Sequence, residues 1–248
     1  MKRIVASIVI KNNYVVNSYG FRKHLPVGKI ENIIERLQEW EVDEISILNI
    51  SHSNYPERDF ENLFNPYLLS KIDTPISYGG GIVSRDSAEQ IIRSGCERVI
   101  LSAANLSNRL LEDLSKSVGE QALLVHFPVN SLNLDLDSSE KKNIEFLKLL
   151  HEGWGGELFF KFKTADGSLA ESKNLIDFIN SVPSNFPNFL FGGGISSVLQ
   201  VRSILEMERV SGVVIGNWFN RDEVVVPKIK REIAGLNIRP FSGGAHVH

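Results

Sequence analysis

Two short stretches decide the fold: Gly79-Gly80-Gly81-Ile82 and Gly192-Gly193-Gly194-Ile195. Each follows an apolar run and precedes a helix-forming segment. A strand that ends in glycines ahead of a helix leaves backbone N–H groups bare at the helix start, where an anion can sit. The surroundings repeat too. Tyr78-Gly-Gly-Gly-Ile-Val-Ser matches Phe191-Gly-Gly-Gly-Ile-Ser-Ser, and Ala88, Ile91 and Ile92 match Val201, Ile204 and Leu205. With a slip of one residue, Val99-Ile100-Leu101 matches Val213-Val214-Ile215. The pair reads as a duplicated βα scaffold that holds a ligand with two anionic ends.

Strand-like and helix-like segments alternate outward from these turns. Strands are expected over Arg3–Ile10, Glu44–Ile50, Pro75–Tyr78, Arg98–Leu101, Ala122–Phe127, Glu157–Lys163, Asn188–Phe191 and Val213–Ile215. Helices are expected over Val27–Trp40, Pro66–Lys71, Ser84–Arg93, Leu106–Ser117, Ser139–Glu152, Leu169–Asn180, Val198–Met207 and Glu223–Ile233. The first helix carries Ile30, Ile33, Ile34 and Leu37 on one face; Ser139 is a natural N-cap, and Pro227 suits a first turn. Ser51–Phe64 and Asn130–Ser139 read as polar loops.

Strict alternation implies a parallel sheet. Eight units point to a single (βα)8 TIM barrel over residues 1–240 with a half-barrel repeat, the alternative being a doubly wound open sheet. Residues 241–248 have no apolar period and read as a flexible tail, with two solvent-exposed histidines rather than metal ligands.

The 248 residues carry a formal charge of −3, and 42% are hydrophobic, enough for a sizeable core. The near-neutral balance argues against nucleic acid or a membrane surface as the main partner. The single cysteine, Cys96, excludes a disulfide framework and fits a reducing compartment. No run approaches the ~18 apolar residues of a membrane span. The opening MKRIVASIVIKNN has too short an apolar part for a signal peptide and reads as a first buried strand. A cytoplasmic location is expected, with no metal and no cofactor.

KRIVASIVIKNNYVV, EVDEISILNI, YGGGI, GCERVILSAA, GELFFKFKTADG and FGGGI together resemble the cyclase subunit family of imidazole glycerol phosphate synthase, over residues 2 to about 240. The resemblance implies a barrel that takes ammonia from a glutaminase docked at its bottom and passes it along the axis to a site at the top. In that family two aspartates, ending strands one and five, act as general acid and base. Here those positions are Val9 and Pro128. A family lysine is replaced by Asn17, a strand-two aspartate by Asn49, and a serine before the second glycines by Phe191. Losing one positioned acid or base costs ~10²–10⁴ in rate, so losing both removes the family reaction.

The resemblance also maps a ring of four charges that gates ammonia onto Arg3, Glu44, Arg98 and Glu157. Period-two alternation aims each at the axis if Ser7, Leu48, Ile100 and Phe159 also point inward. The ring serves as gate or as plug. Glu97 matches the family's acidic contact to its glutaminase, or is a plain surface carboxylate.

By the same parity His126 shares the inward face of Pro128, and Lys161 and Lys163 that of Glu157. Lys161 replaces an active-site threonine. It is open to anion contact, ion pairing or amine chemistry; His126 is a core histidine or a catalyst. Asp166-Gly167 matches a family loop at the mouth. Gly80, Gly81, Gly167, Gly193, Gly194 and Asn217 are the inherited candidates for phosphate.

Three functions compete. The first is a non-cyclising conduit that binds a glutaminase and hands ammonia to an acceptor, with an ATP-dependent amidotransferase as third partner, as in surface-polysaccharide systems that convert a sugar amide to an amidine. The second is the histidine-pathway cyclase. The third is a stand-alone barrel for a phosphorylated metabolite.

Overall fold

In the computed structural model, residues 1–51, 54–129, 154–162, 172–182, 186–222 and 224–242 are described. The strands are β1 (Arg3–Lys11), β2 (Tyr14–Tyr19), β3 (Lys23–Gly28), β4 (Glu44–Asn49), β5 (Ile76–Gly79), β6 (Arg98–Ser102), β7 (Leu123–Val129), β8 (Glu157–Phe162), β9 (Phe189–Gly192) and β10 (Val210–Ile215). The helices among the described residues are α1 (Ile30–Glu39), α2 (Pro56–Leu63), α3 (Pro66–Leu69), α4 (Arg85–Arg93), α5 (Asn108–Val118), α6 (Ser172–Ser181), α7 (Val198–Leu205) and α8 (Val225–Glu232).

Eight strands, β1 and β4 to β10, run parallel, and β10 pairs back onto β1 from Arg3↔Gly212 to Ala6↔Ile215. The sheet is therefore a closed barrel with no edge between its first and last strands. This is the expected TIM barrel; the open sheet is excluded.

Alternation sorts the side chains into two layers. Val5, Ile100, Leu124, Phe159, Leu190 and Val214 meet inside the barrel, with Leu48 against them. Their neighbours in sequence, such as Ile4, Ile45, Tyr78, Val99, Phe160 and Phe191, face the helices in a larger core. Strands covered on both faces are apolar at nearly every position. Under α6 the outer layer is aromatic: Phe178 lies 5.6 Å from Phe160, 5.4 Å from Phe162 and 5.7 Å from Phe191.

The half-barrel repeat is visible atom by atom. Ser84 and Ser197 cap α4 and α7, each accepting from an N–H three residues on at 3.3 Å. A methyl on Gly79 would stand 2.7 Å from Cβ of Ile100, and one on Gly192 would stand 2.8 Å from the carbonyl of Val214, the matching residue. Only glycine lets these strands turn so close to their neighbours. The one-residue slip in the repeat has a cause as well: the pairing of β9 with β10 shifts between Val210 and Gly212, so Ser211 is an extra, bulged residue.

Four boundaries differ from expectation. The expected first helix, Val27–Trp40, starts only at Ile30, because β2 and β3 form an antiparallel hairpin on β1. Asn12 and Asn13, at φ 50° and 64°, make its first turn, a conformation asparagine tolerates well. The expected loop Ser51–Phe64 contains α2, begun by Pro56 at its first position. β10 starts three residues before Val213, and the last helix starts at Val225 rather than Glu223. The expected loop 130–139, helix 139–152, start of the 169–180 helix and tail 243–248 lie outside the described residues.

Removing the ring that ties β8 and β9 to α6 leaves a large hole. Phe178→Ala is expected to cost about 3–5 kcal/mol, read as a lower urea midpoint at unchanged slope.

Candidate functional site

The barrel bottom holds a closed circuit of charges. Arg3 Nη1 lies 2.9 Å from Glu44 Oε2, and Arg3 Nη2 donates to Glu157 Oε1. Arg98 Nη1 lies 2.8 Å from Glu157 Oε2 and 3.4 Å from Glu44 Oε2. Each arginine thus touches both carboxylates. Strand parity puts all four here: Arg3, Glu44, Arg98 and Glu157 sit at or next to the first residues of β1, β4, β6 and β8. Glu44 is almost fully enclosed, at 3% side-chain exposure. Burial alone would raise the Glu157 pKa, but Arg3 and Arg98, with the Ser211 hydroxyl donating to Oε1, hold it below the ordinary value. Breaking one member strands a buried opposite charge, typically at 3–5 kcal/mol.

Beneath the circuit lies a depression of about 390 Å³ whose walls include Arg3, Arg98, Glu157, Gln121 and Asn188. Glu97 stands beside Arg98 with its side chain exposed, yet one carboxylate oxygen accepts the Ile76 N–H at 2.6 Å. It closes the start of β5 and keeps its other oxygen for solvent or a partner.

At the opposite end, Val9, Lys161, Gly192, Gly193, Gly194, Asn217 and Arg221 line a cavity of about 80 Å³. Ordinary small-molecule sites run to ~300–1,000 Å³. The second glycine turn belongs to this cavity; Gly80 and Gly81 are not among its lining residues. Val9 is nearly buried, and Pro128 is paired in register with Lys161. Neither side chain can move a proton. Lys161 is 9% exposed, and its ammonium lies 5.0 Å from the ring of Phe21 at the tip of the β2–β3 hairpin. The hairpin thus leans over the mouth. Arg221 lies over Tyr19 of the same hairpin at 5.7 Å.

Asn217 spends its side chain on the chain itself. Its Nδ2 donates to Ser18 O at 2.7 Å and its Oδ1 accepts from Ser18 N at 3.3 Å. Asn17 accepts from Asn220 at 2.8 Å. Asn49 faces the helices, donating to the Tyr78 hydroxyl at 3.0 Å. Phe191 is part of the aromatic layer. His126 packs on Phe159, ring centroids 4.9 Å apart. Lys163, Asp166 and Gly167 lie outside the described residues. Among the described residues no group of three or more His, Cys, Asp or Glu is arranged to hold a metal, and no helix is long and apolar enough to cross a membrane.

The family model described as histidine biosynthesis protein matches residues 3–219. The chain belongs to the histidine biosynthesis protein family. Within it, the chain is 24% identical over 233 residues to a Vibrio vulnificus protein provisionally named imidazole glycerol phosphate synthase subunit hisF3, covering 88% of this chain and 87% of that one. It is 21% identical over 252 residues to imidazole glycerol phosphate synthase subunit HisF of Francisella philomiragia, covering 96% of each. A Pseudomonas aeruginosa protein provisionally named subunit hisF2 is 26% identical over 230 residues, covering 88% of this chain and 90% of that one.

In this histidine biosynthesis family barrel, sequence reasoning missed three contributors. Tyr19 and Phe21 were hidden because the expected elements leave out residues 11–26 and place Val27-Gly28 in the first helix; Asn12-Asn13 between apolar runs was the available signal. Ser211 was hidden by its bulge.

The depressed Glu157 gives the circuit a pH signature. A carboxylate with a lowered folded pKa contributes stability that is fully present above its unfolded value, near 4.5, and is lost as pH falls through the folded value. In urea unfolding, the stability gap between wild type and Glu157→Gln is therefore expected to be constant from pH 7 to about 5 and to shrink below 4.5.

Proposed function

We propose that this chain is the cyclase-like barrel subunit of a glutamine amidotransferase. It docks a glutaminase at its bottom face, receives ammonia there and passes it along the axis to an acceptor, without closing a ring itself. One contrast carries the reading: a complete four-charge circuit at the bottom, above which Val9 and Pro128 stand where the family resemblance puts its acid and base. A barrel that only bound a metabolite at its mouth has no use for two arginines and two glutamates enclosed at the other end, given what enclosing charge costs.

In this role the circuit is a gate. Each arginine is shared by two carboxylates, so one contact can part while the other holds, and no charge is left unpaired. A docked partner biases that exchange through the depression below. Glu97 and its spare carboxylate oxygen supply an acidic docking contact. The acceptor is a sugar amide converted to an amidine in surface-polysaccharide synthesis, held by an ATP-dependent amidotransferase over the mouth. That assignment rests on the resemblance to barrels of such systems.

A second reading, the histidine-pathway cyclase, draws on the similarity to proteins named HisF. Two experiments together separate the readings: mixing the purified chain with a glutaminase from the same genome, and complementing a histidine auxotroph with the chain. Glutamine hydrolysis is expected to rise several-fold over the glutaminase alone, while a histidine auxotroph carrying the chain fails to grow without histidine. Absence of stimulation overturns the proposal, and growth of the auxotroph supports the cyclase instead.

A further inference from the structure

The barrel interior is not uniformly apolar. Ser7, Ser46 and Ser77 occupy adjacent strands in direct register: Ser7 pairs with Ser46, Ser46 with Ser77, and Ser77 with Arg98. Parity turns all three serines toward the axis, because the residues flanking each, such as Ala6, Ile45 and Tyr78, belong to the helix-side core. Ser46 and Ser77 are fully buried. The hydroxyls of Ser7, Ser46 and Ser77, and Nε of Arg98, are all enclosed, and none has a hydrogen-bond partner in the protein.

Four such groups in one row need a reason. Buried polar groups are nearly always bonded, and an unbonded one costs free energy that alanine or valine would avoid. The opposite wall shows the alternative, built from Ile100, Leu124, Phe159, Leu190 and Val214.

The row also leads somewhere. Strands of an eight-stranded barrel tilt about 36° to its axis, so a row at right angles to the strands climbs as it goes round. It begins at Arg98, a member of the bottom circuit, and reaches Ser7, which lines the cavity at the mouth. Neighbouring strands lie ~4.8 Å apart, a gap that one molecule the size of water spans with two hydrogen bonds.

We propose that Ser7, Ser46 and Ser77, with Nε of Arg98, form a hydrogen-bonding rail that holds a file of small neutral molecules between the bottom circuit and the mouth. Each hydroxyl both donates and accepts, and so suits water or ammonia equally. A cation is disfavoured: it loses its hydration against the apolar wall, and the neutral hydroxyls of the row supply no charge to replace it. The rail therefore admits ammonia and rejects ammonium. That ammonia is the cargo rests on the proposed function; that the rail binds small neutral molecules does not.

The test uses the full chain without a partner. Long-lived internal waters are counted by magnetic relaxation dispersion in wild type, in Ser46→Ala/Ser77→Ala and in Ser7→Ala, and are located in a high-resolution crystal structure of each. Waters bridging the three serines, with about two lost in the double variant and fewer in Ser7→Ala, are expected. A dry row in wild type, or a count unchanged by the double variant, overturns the rail. The glutaminase experiment gives an independent result. Bridging waters without stimulation leave the rail standing and remove ammonia as its cargo. Stimulation with a dry row removes the rail and leaves the conduit.

Discussion

The pairing of β1 with β10 governs everything inside this protein. Once the first strand lies in register with the last, every strand has two neighbours and every second residue must point at a common axis. Arg3, Glu44, Arg98 and Glu157 are scattered over half the chain, yet closure leaves them nowhere to go but together. Their mutual neutralisation follows from that constraint, as does the clustering of Val5, Phe159 and Val214 just above them.

The two ends of the barrel answer to different chemistry. The bottom encloses charge and keeps it by sharing each arginine between two carboxylates. The mouth carries Val9 and Pro128, and a lysine held beside an aromatic ring. Proton transfer needs titratable groups in place; the bottom encloses four charges, while the side chains of Val9 and Pro128 carry none. The similarity to proteins named HisF extends over nearly the whole chain.

Much of this was legible beforehand. The period-two pattern of β4 and β8 was enough to say which side chains look inward, because a parallel strand covered on both faces has little freedom of register. The glycine turns announced the duplication, because no other residue tolerates the closeness of Gly79 to Ile100. What could not be read depends on contacts distant in sequence. The hairpin at Tyr14–Gly28 has the apolar content of a helix start, and only pairing with β1 makes it sheet. The unbonded state of Ser46 and Ser77 is a property of the closed interior, since serine in a strand ordinarily finds water or a backbone partner. Asn217 looked like an anion ligand by position, but its amide is engaged by the backbone of Ser18.

That last contact bears on how far the molecule remains a duplication. The hairpin is an addition to the first half-barrel, without a counterpart among the described strands of the second. It is nonetheless held by the second half: Asn217 grips Ser18 at both its N–H and its carbonyl, and Asn220 reaches Asn17. The two halves have thus stopped being interchangeable units. One has become the other's clasp, and a chain divided between them would part the hairpin from the residues that hold it over the mouth.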